Sequence, residues 1–147
     1  MSPLAFTDDL KFGVAAIDRQ HRRMVHIVNH LLMAVIGGAM GDAEDLLLDE
    51  LVRLAARNFR TEEKWMRRCN YENGESHAES HAHLLQELVA LRDGLFTRHE
   101  HLNRKVVFFV RRWLEQHLLH SDRELADAIR DQVKAKGSRR KASALRP

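Results

Sequence analysis

The sequence predicts an all-α fold: an up-down-up-down four-helix bundle with an N-terminal arm and a short C-terminal helical extension. Three observations carry that prediction. Apolar residues recur at alternating spacings of three and four along four separate stretches, the mark of a helix with one buried stripe. Short turn-forming segments separate the stretches, and short loops make sequential helices antiparallel. Only 2 prolines and 7 glycines interrupt 147 residues, so long helices are permitted.

A chain of this length makes one domain with a real core. Residues 1–17 lack helical periodicity until Ile17 and read as an extended arm, with Phe6, Leu10 and Phe12 available to cover a core edge. The bundle occupies 18–133. Its first helix opens near Asp18, a suitable N-cap, and fades at Gly37–Gly38. The stripe is Ile17, His21, Met24, Val28, Leu31 and Val35. Asp42 can cap the second helix, which runs to about Arg68 with the stripe Leu48, Leu51, Ala55, Asn58, Glu62 and Trp65. The third starts near Gly74, and its stripe is His77, His81, Leu84, Leu88, Leu91 and Leu95. The fourth begins around Asn103 with Val106, Val110, Trp113 and His117. Ser121-Asp122-Arg123-Glu124 has the form of a capping box, which predicts a kink or restart before a last segment carrying Leu125 and Ile129.

The net charge of +3 belongs to the C-terminus. Residues 134–147 hold six basic side chains (Lys134, Lys136, Arg139, Arg140, Lys141, Arg146) and no acidic one, and without them the rest carries −3. This stretch has no apolar periodicity and reads as a basic disordered tail, weakly attracted to polyanions at most and without specific nucleic-acid chemistry. No stretch approaches the ~20 apolar residues of a membrane span. MSPLAFTDDL lacks a signal-peptide pattern, and the lone cysteine, Cys69, cannot form an internal disulfide, so the expected compartment is the cytoplasm.

Every stripe is broken by groups that bind metals or carry charge. Burying an unpaired carboxylate such as Glu62 costs several kcal/mol. Alternating helix directions bring His21, Glu62, His77, His81, His117 and Asp122 to one end of the bundle. Four histidines and two carboxylates there offset one another's burial by holding cations. Nitrogen with carboxylate suits iron, manganese or zinc. Six donors exceed one tetrahedral site, and a metal pair bridged by Glu62 and Asp122 uses them all.

Four motifs now become specific. GVAAIDRQH at 13–21, NFRTEEKWM at 58–66, HAESH at 77–81 and WLEQHLLHSD at 113–122 stand in the order and at the spacings of one known set. Together they resemble the bacterial hemerythrin-like family, over roughly residues 4–130. The resemblance implies a non-heme di-iron bundle that binds dioxygen. One iron would take His77, His81 and His117. The other would take His21 and a second-helix histidine, with Glu62, Asp122 and a solvent oxygen bridging. A ferritin-like site would need Glu-x-x-His pairs on two helices, and this chain has none.

The chain departs from the family pattern at Asn58, where the resemblance calls for that second-helix histidine. No histidine lies between His30 and His77, so no register shift supplies one. Three outcomes stay open. Water or the Asn58 carbonyl completes the second iron, the second iron is lost, or His120 swings in from one turn beyond His117. A more open iron predicts less reversible oxygen binding and more reaction with oxygen, peroxide or nitric oxide.

The remaining histidines, His26, His30, His83, His99 and His101, fall beside the stripes or in a connection and read as surface residues. Glu63 points off the stripe and reads as solvated. No nucleophile–base pair is legible, so an oxygen carrier, store or sensor stands first, a redox enzyme second, and an interaction bundle with a degenerate site third. No protein partner is identifiable.

Overall fold

The structure, a computed structural model, describes residues 1–144. A 3-10 turn (Asp8–Leu10) precedes α1 (Ala15–Ile36), α2 (Asp42–Arg68), α3 (Gly74–Thr97) and α4 (Arg104–Gln116). A π-helical turn (His117–Ser121) joins α4 to α5 (Asp122–Ala144). The helices form a four-helix bundle in which α1 packs against α2 and α4, and α2 packs against α3.

The helix starts follow local chemistry. Asn103 caps α4, its side-chain oxygen accepting from Val106 N–H at 3.1 Å. Glu44 reaches back from the first turn of α2 to accept from Gly41 N–H at 2.9 Å. The expected cap of α1 is corrected, because Val14 is the N-cap and Asp18 already lies within the helix. The Asp18 carboxylate instead accepts from Phe12 N–H at 2.6 Å and Gly13 N–H at 3.2 Å. An anion is favourable near a helix N-terminus, and here it also ties the arm to α1. Gly13 supplies the φ of +90° at this turn, a conformation that strains a side-chain-bearing residue.

One buried cluster fills the bundle centre with Met24, Val28, Leu31, Leu51, Ala55, Leu88, Val110 and Leu114 among its members. Truncating a residue such as Leu31 to alanine costs about 2–5 kcal/mol, because the surrounding helices cannot close the void. A second cluster joins Phe12, Ile17, Met66, Leu125, Ala126 and Ile129 and seals the end where α5 begins. The arm is pinned along its length. Asn29 Oδ1 accepts from Leu4 N–H at 2.7 Å, Asn29 Nδ2 donates to Leu4 O at 2.8 Å, and Arg111 Nε donates to Ser2 O at 2.8 Å.

Two further findings differ from the sequence expectation. The kink or restart expected at Ser121 takes the form of a π-helical turn without a cap, because helical backbone continues through it into Asp122 (φ −73°, ψ −30°). Residues 134–144, expected as unstructured tail, continue α5 as helix, exposed over 134–141. Ala, Lys and Arg are strong helix formers, and a helix already nucleated against the bundle extends at little cost. Residues 145–147 of that expected tail lie outside the described residues. Among the described residues, no helix is long and apolar enough to cross a membrane.

Candidate metal centre

The structure brings all six sequence-predicted site residues together, and all six are buried. α1 contributes His21, α2 Glu62, α3 His77 and His81, the π-helical turn His117, and the start of α5 Asp122. His77 and His81 share a face because they are one helical turn apart. His117 and Asp122 are five residues apart and would diverge on an ordinary helix. The π-helical turn aligns them through an i→i+5 bond, with Asp122 N–H donating to His117 O.

Both carboxylates are divided between the same two groups of histidines. Glu62 Oε1 lies 2.9 Å from His21 Nε2, while its Oε2 lies 3.1 Å from His81 Nε2 and 3.5 Å from His77 Nε2. Asp122 Oδ2 lies 3.1 Å from His21 Nε2, while its Oδ1 lies 3.0 Å from His117 Nε2 and 3.4 Å from His77 Nε2. The donor atoms of Glu62, His77, His81, His117 and Asp122 all fall within 4.8 Å of one another. His21 faces both carboxylates through their other oxygens.

Most of these atoms are close without being aimed at each other. Nε2 of His77, His81 and His117, Oε2 of Glu62 and both oxygens of Asp122 have no directed hydrogen bond among the described residues. Donors gathered at about 3 Å without being hydrogen-bonded to one another are what first-row metal bonds of ~2.1 Å require. The donor set therefore fits metal ions.

Among protein groups alone, the site balances charge with protons. Burial lowers the His21 pKa, but the Asp122 and Glu62 carboxylates outweigh it and carry it up to about 10. The same contest, burial against Asp122 and Glu62, leaves His77 raised to about 9. Burial and the Asp122 charge push the Glu62 carboxyl up, yet His21, His77 and His81 beside it bring it down to about 2. Burial also opposes ionisation of Asp122, and His117, His21 and His77 hold it well below the usual carboxylate range.

No protein-family model matches the chain. The bacteriohemerythrin of Stenotrophomonas maltophilia (strain R551-3) is 29% identical over 133 residues, covering 88% of this chain and 84% of that protein. The bacteriohemerythrin of Pseudomonas aeruginosa (strain UCBPP-PA14) is 29% identical over 130 residues with the same coverage. That of Clostridium acetobutylicum (strain ATCC 824) is 23% identical over 125 residues, covering 82% of this chain and 96% of its own. Crystallised wild-type hemerythrin shares the fold, with a TM-score of 0.76 at 23% identity over 87% of this chain and 98% of that one. The chain is bacteriohemerythrin-like. The buried histidine–carboxylate cluster and these relatives together fit a non-heme iron protein of hemerythrin type.

Several parts of this site escaped the sequence reading. Glu63 is not simply solvated, because its Oε1 lies 3.0 Å from Nδ1 of His81. Such a contact fixes the ring and leaves Nε2 free for a metal. Phe59 stacks on His81, with ring centroids 4.0 Å apart and planes 7° from parallel, and meets His117 edge-on at 5.3 Å. Trp113 stacks on His117 at 5.8 Å. The three-histidine side is thus walled by aromatic rings, while Phe12 meets His21 edge-on at 6.0 Å. Glu63 and Phe59 sit immediately beside Glu62 and Asn58 in sequence, but only helix packing reveals which rings they meet.

Asn58 is fully buried on the Glu62 face of α2. Its Nδ2 donates to Gln20 Oε1 at 3.0 Å, and its Oδ1 has no partner among the described residues. His120 is exposed, as are His26, His30, His83, His99 and His101. At the surface, Asp42, Asp45 and His101 form a second group of potential ligands. Asp45 there accepts from Leu102 N–H at 3.0 Å and pairs with His101 at 2.8 Å, which fastens the α3–α4 connection to α2.

Proposed function

We propose that the chain is a cytoplasmic non-heme di-iron protein of hemerythrin type that binds dioxygen as a carrier, store or sensor. The observation that supports this most is the division of Glu62 and Asp122, each presenting one oxygen to His21 and the other to His77 and its neighbours. In this reading His77, His81 and His117 would hold one iron, His21 would serve the other, and Glu62 and Asp122 would be shared between them. Bound ferrous iron supplies the electrons for reversible interaction with dioxygen. The protein groups orient donors and exclude water: Glu63 fixes His81, and Phe59 and Trp113 cover the imidazoles with apolar surface.

A second reading, a redox protein reacting with oxygen, peroxide or nitric oxide, is favoured by Asn58. The His21 side carries fewer nitrogen donors than the side of His77, His81 and His117, so it is the more open to small reactants. Anaerobic reconstitution with ferrous iron, followed by cycles of air and argon, separates the two. Two irons per chain with a visible band that comes and goes with oxygen support oxygen binding. Two irons with a single irreversible oxidation move the function to redox chemistry. Fewer than two irons overturn the di-iron reading.

A further inference from the structure

We propose that Asn58 is an oxygen ligand on the His21 side of the metal centre, with Gln20 as the positioning residue that turns its amide. This rests on the reading of the site as a metal pair and names what completes its nitrogen-poor half.

The argument is one of hydrogen-bond polarity. An amide's oxygen and nitrogen are distinguished by their partners, not by shape. Here a chain of contacts ends on a group that can only accept. Thr61 Oγ1 donates to the backbone carbonyl of Arg57 at 2.9 Å, so its single proton is used. Thr61 Oγ1 must therefore accept from its other neighbour, Gln20 Nε2, at 3.1 Å. That assigns Nε2 of Gln20 to Thr61 and leaves Gln20 Oε1 facing Asn58. Asn58 must then present Nδ2, which donates to Gln20 Oε1 at 3.0 Å.

The consequence falls on the other arm of the Asn58 amide. Oδ1 is directed away from Gln20, fully buried, and without a partner among the described residues. It sits one helical turn from Glu62 on the same face of α2, and Glu62 Oε1 is the oxygen that faces His21. A buried amide oxygen left unpaired is unfavourable unless something else completes it. A hard or borderline metal ion takes amide carbonyl oxygens as ligands, as it takes carboxylates. Gln20 precedes His21 in sequence, so α1 supplies both the nitrogen donor and the residue that aims Asn58.

The test is a stepwise anaerobic titration with ferrous iron against a competing chelator, together with Mössbauer spectra. It compares the wild-type chain with Asn58→Ala, Asn58→Asp, Gln20→Leu and Thr61→Val. Asn58→Ala should weaken the second iron about 10–100-fold and change only that iron's spectrum, with the first iron retained as proof of folding. Gln20→Leu and Thr61→Val, at half-buried positions, should weaken the same step by up to about 10-fold. Asn58→Asp keeps an oxygen donor but sets a carboxylate oxygen against Gln20 Oε1, so it should hold the second iron better than Asn58→Ala without matching the wild-type chain. Two irons bound by Asn58→Ala with wild-type affinity and spectra would overturn the assignment. Should Asn58→Ala fail to fold, an unchanged second iron in Gln20→Leu overturns it instead. A wild-type chain that takes up fewer than two irons fails the earlier di-iron reading, an outcome the wild-type titration alone reveals.

Discussion

Glu62 and Glu63, adjacent on α2, address opposite nitrogens of one imidazole: Glu62 Oε2 lies 3.1 Å from His81 Nε2, and Glu63 Oε1 lies 3.0 Å from His81 Nδ1. The ring is also stacked on Phe59, so its position is set from three directions. Removing the outer contact leaves the donor present but loosely aimed. Glu63→Ala should weaken iron binding about 10–100-fold without loss of helix content. Chelator competition on the folded variant measures this, and wild-type affinity would show that Glu63 is only a surface carboxylate.

The metal-free protein should be most stable in mildly acidic solution. His21 and His77 are raised from 6.5 to about 10 and about 9, because the carboxylates prevail over burial. Their contribution is complete below pH 6.5 and is lost as pH rises through about 9 and then about 10. Glu62 is lowered from 4.5 to about 2, so its contribution is complete above 4.5 and is lost as pH falls toward about 2. Urea midpoints of chelator-treated protein should therefore fall on both sides of about pH 5–6. A midpoint that does not change between pH 6 and pH 10 would contradict the proton-bridged arrangement.

Loading with metal at neutral pH should release protons, since His21 and His77 hold them in the metal-free form and ligation needs the neutral ring. An indicator dye in weakly buffered solution reads this directly. Uptake of iron with no acidification would mean that these imidazoles are not ligands.

Phe59 is expected to matter for both stability and chemistry. Its ring covers His81 and reaches His117. Phe59→Ala should cost about 3–5 kcal/mol by leaving a cavity, visible in urea unfolding. It should also speed air oxidation of the ferrous protein, because water gains access to the centre. Unchanged oxidation kinetics would assign Phe59 to packing alone.

The π-helical turn can be tested by shortening it. Deleting Leu119, which is exposed, should convert the turn to ordinary helix and leave Asp122 four residues from His117, still on one face. Metal content should therefore persist in the deletion variant. Loss of metal would show that the geometry of the π-helical turn itself, beyond the shared face, is needed to aim the two groups.

The stripe residues were legible because helical periodicity is a local property. Ile17, His21, Met24, Val28, Leu31 and Val35 are buried in the order that their spacing implied. The same logic placed Asn58 and Glu62 on the buried face of α2, where both lie. It failed for Glu63, because one step along a helix turns the side chain aside but does not say what waits there. It failed at Asp18 because a residue that can cap a helix does so only if the chain leaves the helix there, and Asp18 already lies within α1. At Ser121 it located the break but not its form, a π-helical turn between α4 and α5.

By itself, the sequence determined the bundle, its helix limits to within a few residues, and the six histidine and carboxylate side chains directed to one end. Those features follow from periodicity and from the antiparallel course of short connections. Only the tertiary structure decided which oxygen of Glu62 and Asp122 meets which imidazole, how the π-helical turn aligns His117 with Asp122, and which way the Asn58 amide is turned. Each of these depends on side chains from different helices meeting at hydrogen-bond distance. No local pattern carries that information, because the partners, Gln20 with Asn58 or His21 with Glu62, lie about forty residues apart in the chain.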